Sequence, residues 1–222
     1  MDILANQRLV IIGDSVTDHG KGNPAGEGLF EAIGRGWGGY VSQVDAILST
    51  FYPERAIRVN NKGISGNTVK DLATRWENDV IALRPDWLVV MIGVNDVWRQ
   101  FDIPRMTEQH ILPAEYERVY DELLTRTRPL LKGLVLMTPY YIEPNRSDWM
   151  RARMDEYGEI VRKLATKHDA RFVDTQAAFD RVCLHMHSSA IAWDRIHPNH
   201  IGYMVIAREL LAALGFKWPE VS

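Results

Sequence analysis

Cysteine is almost missing from this chain of 222 residues, where Cys183 stands alone. That excludes an internal disulfide and fits a reducing compartment. Excess charge is missing too. Lys and Arg number 26 and Asp and Glu 29, so the net charge is −3, and there is no basic footprint for nucleic acid. No apolar run approaches the roughly 20 residues of a membrane-spanning helix. Residues 1–7 hold no basic cluster, and the apolar run at 9–12 is too short for the core of a signal peptide. A cytoplasmic protein with no membrane partner is expected. Internal repeats, low-complexity tracts and linker-like shifts of composition are also lacking, so a single domain over 1–222 is expected.

What is present fits an ordinary globular protein. Hydrophobic residues make up 46% and charged residues 25%, enough for a sizeable core in a chain this long. Short apolar runs at 9–12, 57–60, 87–92, 134–137 and 171–173 read as strands. Between them, apolar residues recur at helical spacing. Val69, Leu72, Ala73, Trp76 and Val80 make one face, and Tyr116, Val119, Tyr120 and Leu123 another. A last helix is expected from Asn199 as N-cap to just before Gly215. Such alternation predicts a flavodoxin-like, three-layer α/β/α fold around a central five-stranded parallel sheet, with ligands beyond the carboxyl ends of the strands.

Four segments fall where that fold would build a site. Gly13-Asp14-Ser15 turns a corner after the first run and exposes a serine. The segment from Asn61 through Gly66 to Thr68 opens a helix, where a glycine backbone N–H can approach a ligand. Gly93-Val94-Asn95-Asp96 offers an Asn amide that can donate to a developing oxyanion. Asp194 and His197, three apart, can put a carboxylate on one ring nitrogen and leave the other for the serine proton. Singly, each also reads as a turn, a cap or an ion pair. Together they read as a serine hydrolase.

These blocks resemble the SGNH hydrolase superfamily, also called GDSL esterases, in order and from end to end. The resemblance implies Ser15 as nucleophile, His197 as general base and Asp194 as its partner. The N–H groups of Ser15 and Gly66 and the side chain of Asn95 would form the oxyanion hole. Val16 stands where the family pattern has leucine. The stretches 61–69, 91–100 and 192–195 are similar to the intracellular acetylxylan esterase branch. That implies removal of acetyl groups from xylo-oligosaccharides or related acetylated carbohydrates through an acyl-enzyme, without metal or organic cofactor. Trp193 and Trp98 would be sugar-facing aromatics, with core packing as the alternative for each. Seven tryptophans exceed one pocket and, with the resemblance, suggest a homo-oligomer.

Competing readings exist. A lysophospholipase or thioesterase would share the chemistry, and a carbohydrate-binding protein with an inactive site would share the fold. Gly34-x-Gly36-x-x-Gly39 matches a dinucleotide fingerprint but follows no predicted strand. His185, His187, His197 and His200 with Asp194 raise the alternative of zinc, although His185 and His187 would diverge on a helix. Cys183 reads as a small buried hydrophobe. The glycine-rich loop from Asp18 to Gly39 is long for a compact domain and is a candidate for function.

Overall fold

A computed structural model of the chain describes residues 1–19, 21 and 38–219. Five parallel strands, β1 (Arg8–Gly13), β2 (Arg58–Gly63), β3 (Trp87–Met91), β4 (Gly133–Met137) and β5 (Arg171–Val173), form one sheet in the order β2-β1-β3-β4-β5. This is the expected flavodoxin-like order. Alternate residues of each strand enter different cores. Leu9, Ile11, Val89, Met91, Val135 and Met137 face one cluster, which they share with α2 (Tyr40–Phe51), α7 (Thr175–Cys183) and α8 (His200–Ala213). Val10, Ile12, Leu88, Val90, Leu134 and Leu136 face the other, covered by α3 (Val69–Trp76), α5 (Pro113–Thr127) and α6 (Trp149–Lys167). A sheet covered on both faces explains why its central strands read as unbroken apolar runs.

Helix starts follow local chemistry. Thr68 and Asp71 form a capping box on α3, Asp148 caps α6, Asp174 caps α7, and Asn199 caps α8 as expected. The α3 face is buried at Val69, Leu72, Trp76 and Val80, the last on a π-helical turn that prolongs the helix, but Ala73 is exposed. The second strand also differs from expectation. It begins at Arg58 and runs on through Asn61, Lys62 and Gly63, which pair with Ile11, Ile12 and Gly13. Its polar end is accommodated because Asn61 Nδ2 donates to Thr17 O (2.7 Å) and Asn61 Oδ1 accepts from Gly63 N (2.9 Å).

Strand order reverses between β1 and β3, and the first turns of the helices that follow these two strands carry Ser15 and Asn95. A doubly wound sheet opens its ligand crevice at that point.

Candidate active site

The corner after β1 requires glycine, since a Cβ on Gly13 would lie 2.3 Å from Met91 O and 2.4 Å from Thr17 Oγ1. Asp14 then caps the single-turn helix α1 (Ser15–Asp18), its Oδ1 accepting from Val16 N at 3.0 Å. This turn leaves Ser15 Oγ 2.8 Å from His197 Nε2.

His197 comes from the loop before α8. Its Nδ1 lies 2.6 Å from Asp194 Oδ2, while Asp194 Oδ1 accepts the backbone N–H of Ile196 (3.0 Å) and of His197 itself (2.8 Å). Arg195 adopts a left-handed φ of +64° so that the chain can close this turn. Tyr140 OH donates to Ile196 O (2.9 Å) and Ile142 N to Arg195 O (2.9 Å), fastening the loop to the segment after β4. Burial alone would push the Asp194 carboxyl up. The hydrogen bonds from the His197 ring and from the two N–H groups outweigh it and hold the carboxyl below the usual range. The structure thus brings together the serine, histidine and aspartate singled out in the sequence, in the connectivity by which an imidazole can take a hydroxyl proton while a carboxylate steadies the ring.

The other two loops meet beside them. Gly66 takes φ +83°, a conformation L side chains rarely adopt. Asn95, 2% exposed in the first turn of α4 (Val94–Asp102), donates from Nδ2 to Asn67 O at 3.0 Å, and the same nitrogen carries a second hydrogen. Its Oδ1 accepts from Arg99 Nη2 at 3.3 Å, which orients the amide. The next residue, Asp96, accepts Val69 N on Oδ1 at 3.1 Å. The start of α4 therefore grips the loop that carries Gly66.

Trp98 is half-buried, with its ring centroid 6.0 Å from that of His197. Trp193, beside Asp194, is 86% exposed, so core packing is not its role. Trp76 and Trp87 are buried, and each gives its indole N–H to a side chain, Thr127 Oγ1 and Gln7 Oε1 respectively. Cys183 is half-buried against the core, and burial pushes its thiol up. α7 ends at Cys183, so His185 and His187 lie beyond it and not on a helix. Among the described residues, no group of three or more His, Cys, Asp or Glu is placed to hold a metal ion. Most of the loop from Asp18 to Gly39, with Gly34 and Gly36, lies outside the described residues.

Sequence reading missed two contributions. Arg75 reaches from α3 to Gly13 O (3.0 Å), Lys62 O (2.8 Å) and Asn67 Oδ1 (2.7 Å), joining the serine corner to the glycine loop. A lone arginine on a helix's polar side carries no signal of that reach. The second is the pair of fully buried carboxyls Asp14 and Asp96, each pushed up to about 7 chiefly by burial. An acidic residue amid glycine and an apolar strand end was the available hint.

Comparison with known proteins agrees with this geometry. The GDSL-like lipase/acylhydrolase family model matches residues 11–205. An acetylxylan esterase from Geobacillus stearothermophilus is 52% identical over 218 residues, 98% of either chain. The crystal structure of that organism's acetylxylan esterase Axe2 superposes with a TM-score of 0.94 at 52% identity, covering 98% of both chains. LAE5, an alpha/beta hydrolase enzyme from the metagenome of Lake Arreo, Spain, gives 0.92 at 55% identity over 97% of this chain and 98% of its own. Solved catalytic mutants of Axe2 have a serine, a histidine or an aspartate replaced by alanine. The chain belongs to the GDSL-like lipase/acylhydrolase family and is a carboxylic ester hydrolase.

Proposed function

We propose that this protein is a serine esterase that removes O-acetyl groups from xylo-oligosaccharides or related acetylated carbohydrates. The observation that carries the reading is the hydrogen-bonded line Ser15–His197–Asp194 in a chain half identical to an acetylxylan esterase. Ser15 Oγ attacks the acetyl carbonyl as His197 Nε2 takes its proton. The Ser15 and Gly66 N–H groups and Asn95 Nδ2 hold the oxyanion. His197 then protonates the departing sugar oxygen, leaving acetyl-Ser15. Water, deprotonated by His197, attacks the acetyl group, and acetate leaves as Ser15 regains its proton. Asp194 keeps the ring in the tautomer both steps need. Trp98 and Trp193 flank the site and are the aromatic surfaces offered to the sugar.

Chain-length preference tests the substrate class. Acetyl esters of sugars should be cleaved in preference to long acyl lipids and thioesters. A preference for long acyl chains would replace this reading with the lysophospholipase one.

We further propose a single domain over 1–222 acting in the cytoplasm as a homo-oligomer. No helix among the described residues is long and apolar enough to cross a membrane. Assembly is supported by an aromatic patch away from the triad, in which Phe51, Tyr52 and Trp218 surround Phe216 with centroids 5.0–5.9 Å apart and Phe51 and Trp218 are each 45% exposed. A monomeric mass by light scattering would remove it.

A further inference from the structure

We propose that the groove between α4 and α6, lined by Phe101 and Trp149, is a carbohydrate subsite that takes the sugar beyond the one whose acetyl group meets Ser15. The proposal rests on the acetyl-carbohydrate reading above.

Trp149 is the first residue of α6 and is 83% exposed, a large apolar surface left in water. It does not stand alone. With Phe101, Ala152, Arg153 and Glu156 it lines an open groove of about 470 Å³. The groove shares α4 with the catalytic site, since Phe101 and Asn95 stand on the same helix. Trp98 lies beside the His197 ring, with centroids 6.0 Å apart and the planes tilted by 56°, and Phe101 lies three residues further on the same side of the helix, about 4.5 Å along its axis. Trp98 and Phe101 both rest on the sheet's core cluster, so the row they make is rigid.

The lining selects the occupant. An indole face suits the C–H face of a pyranose ring. Arg153 and Glu156 pair with each other at 2.7 Å, so the wall is polar but electrically balanced. It offers donors and acceptors to hydroxyls without calling for a charged ligand. A fatty acyl chain would gain nothing from that ion pair, whereas a neutral oligosaccharide uses both the rings and the polar edge.

The test compares acetylated xylose, acetylated xylotriose and p-nitrophenyl acetate, with wild type, Trp149→Ala and Trp149→Phe. Wild type should gain in kcat/KM from acetylated xylose to acetylated xylotriose. Trp149→Ala should lower the xylotriose to p-nitrophenyl acetate ratio of kcat/KM about tenfold, through KM, and Trp149→Phe should restore most of it. An unchanged ratio in Trp149→Ala, with wild type active on xylotriose, would overturn the subsite alone. Equal losses on all three substrates, or a changed oligomeric mass with the ratio intact, would also overturn it, making Trp149 a structural or interface residue. Wild type cleaving p-nitrophenyl acetate but neither sugar would overturn the substrate reading and the subsite with it.

Discussion

At the residue scale, the triad divides labour in a way that variants should separate. Ser15→Ala and His197→Ala each remove a group that makes or breaks a bond, and kcat should fall by more than about a thousandfold. Asp194→Ala removes only the partner of the ring, so a smaller loss is expected in the same assay. Asn95→Ala should cost about a hundred- to a thousandfold in kcat with little change in KM, because its second amide hydrogen is used in the transition state. The Asp194 carboxyl is held below its ordinary value of 3.8, so its bonds to His197 persist above that pH and are lost only as pH falls through the depressed value. Loss of the ring's carboxylate partner therefore does not set the acid limb of the pH–rate profile above pH 3.8.

Asp14 and Asp96 behave in the opposite sense. Burial raises both to about 7. Between pH 3.8 and 7 the folded chain keeps these protons and the unfolded chain releases them, so each group's contribution to stability falls as pH rises through that window and is flat above it. Asp96 Oδ2 is buried with no hydrogen-bond partner. Asp96→Asn can still accept Val69 N and carries no charge to bury. Denaturant titration should find the variant roughly 2–4 kcal/mol more stable than wild type at pH 8, the advantage vanishing near pH 4. A constant difference across pH would mean that Asp96 is not the buried titrating group.

At the scale of elements, the site is a meeting of loops held by helix starts. Arg75 is the clearest tie, since it binds the corner after β1 and the loop after β2 at once. Arg75→Ala should destabilise the fold by about 1–3 kcal/mol, seen in thermal or denaturant unfolding. Because it also frees Asn67, which shares its loop with Gly66, kcat should drop more than KM rises. Arg75→Lys should not restore kcat, because a single ammonium cannot span the three acceptors. Much of this level was legible in the sequence and some was not. The β1 strand from Leu9 on, and the β3 and β4 strands, stood out because both their faces are buried and these residues carry no polar side chain. The far end of β2 did not, since Asn61 and Lys62 look like loop residues and become strand only by pairing with β1. Ala73 fell on the predicted face by spacing alone, yet its small side chain lies on the exposed side. The triad was legible because its residue types are few and their order matched a pattern. Arg75 was not, because its role depends on a distance between loops that no local spacing encodes.

At the scale of the whole molecule, the two cores fix the sheet, the sheet's reversal point fixes the crevice, and the crevice receives a serine and a histidine 182 residues apart, with an asparagine from between them. Six of the seven tryptophans can be placed, Trp37 lying outside the described residues. Trp76 and Trp87 are core, Trp98 adjoins His197, and Trp149, Trp193 and Trp218 are exposed. The most direct test is acetate release from acetylated xylo-oligosaccharides by the wild-type protein beside Ser15→Ala. Release by the wild type and essentially none by the variant is the predicted result. Equal release by both would contradict the serine mechanism, and no release by either would contradict the acetylated carbohydrate as substrate.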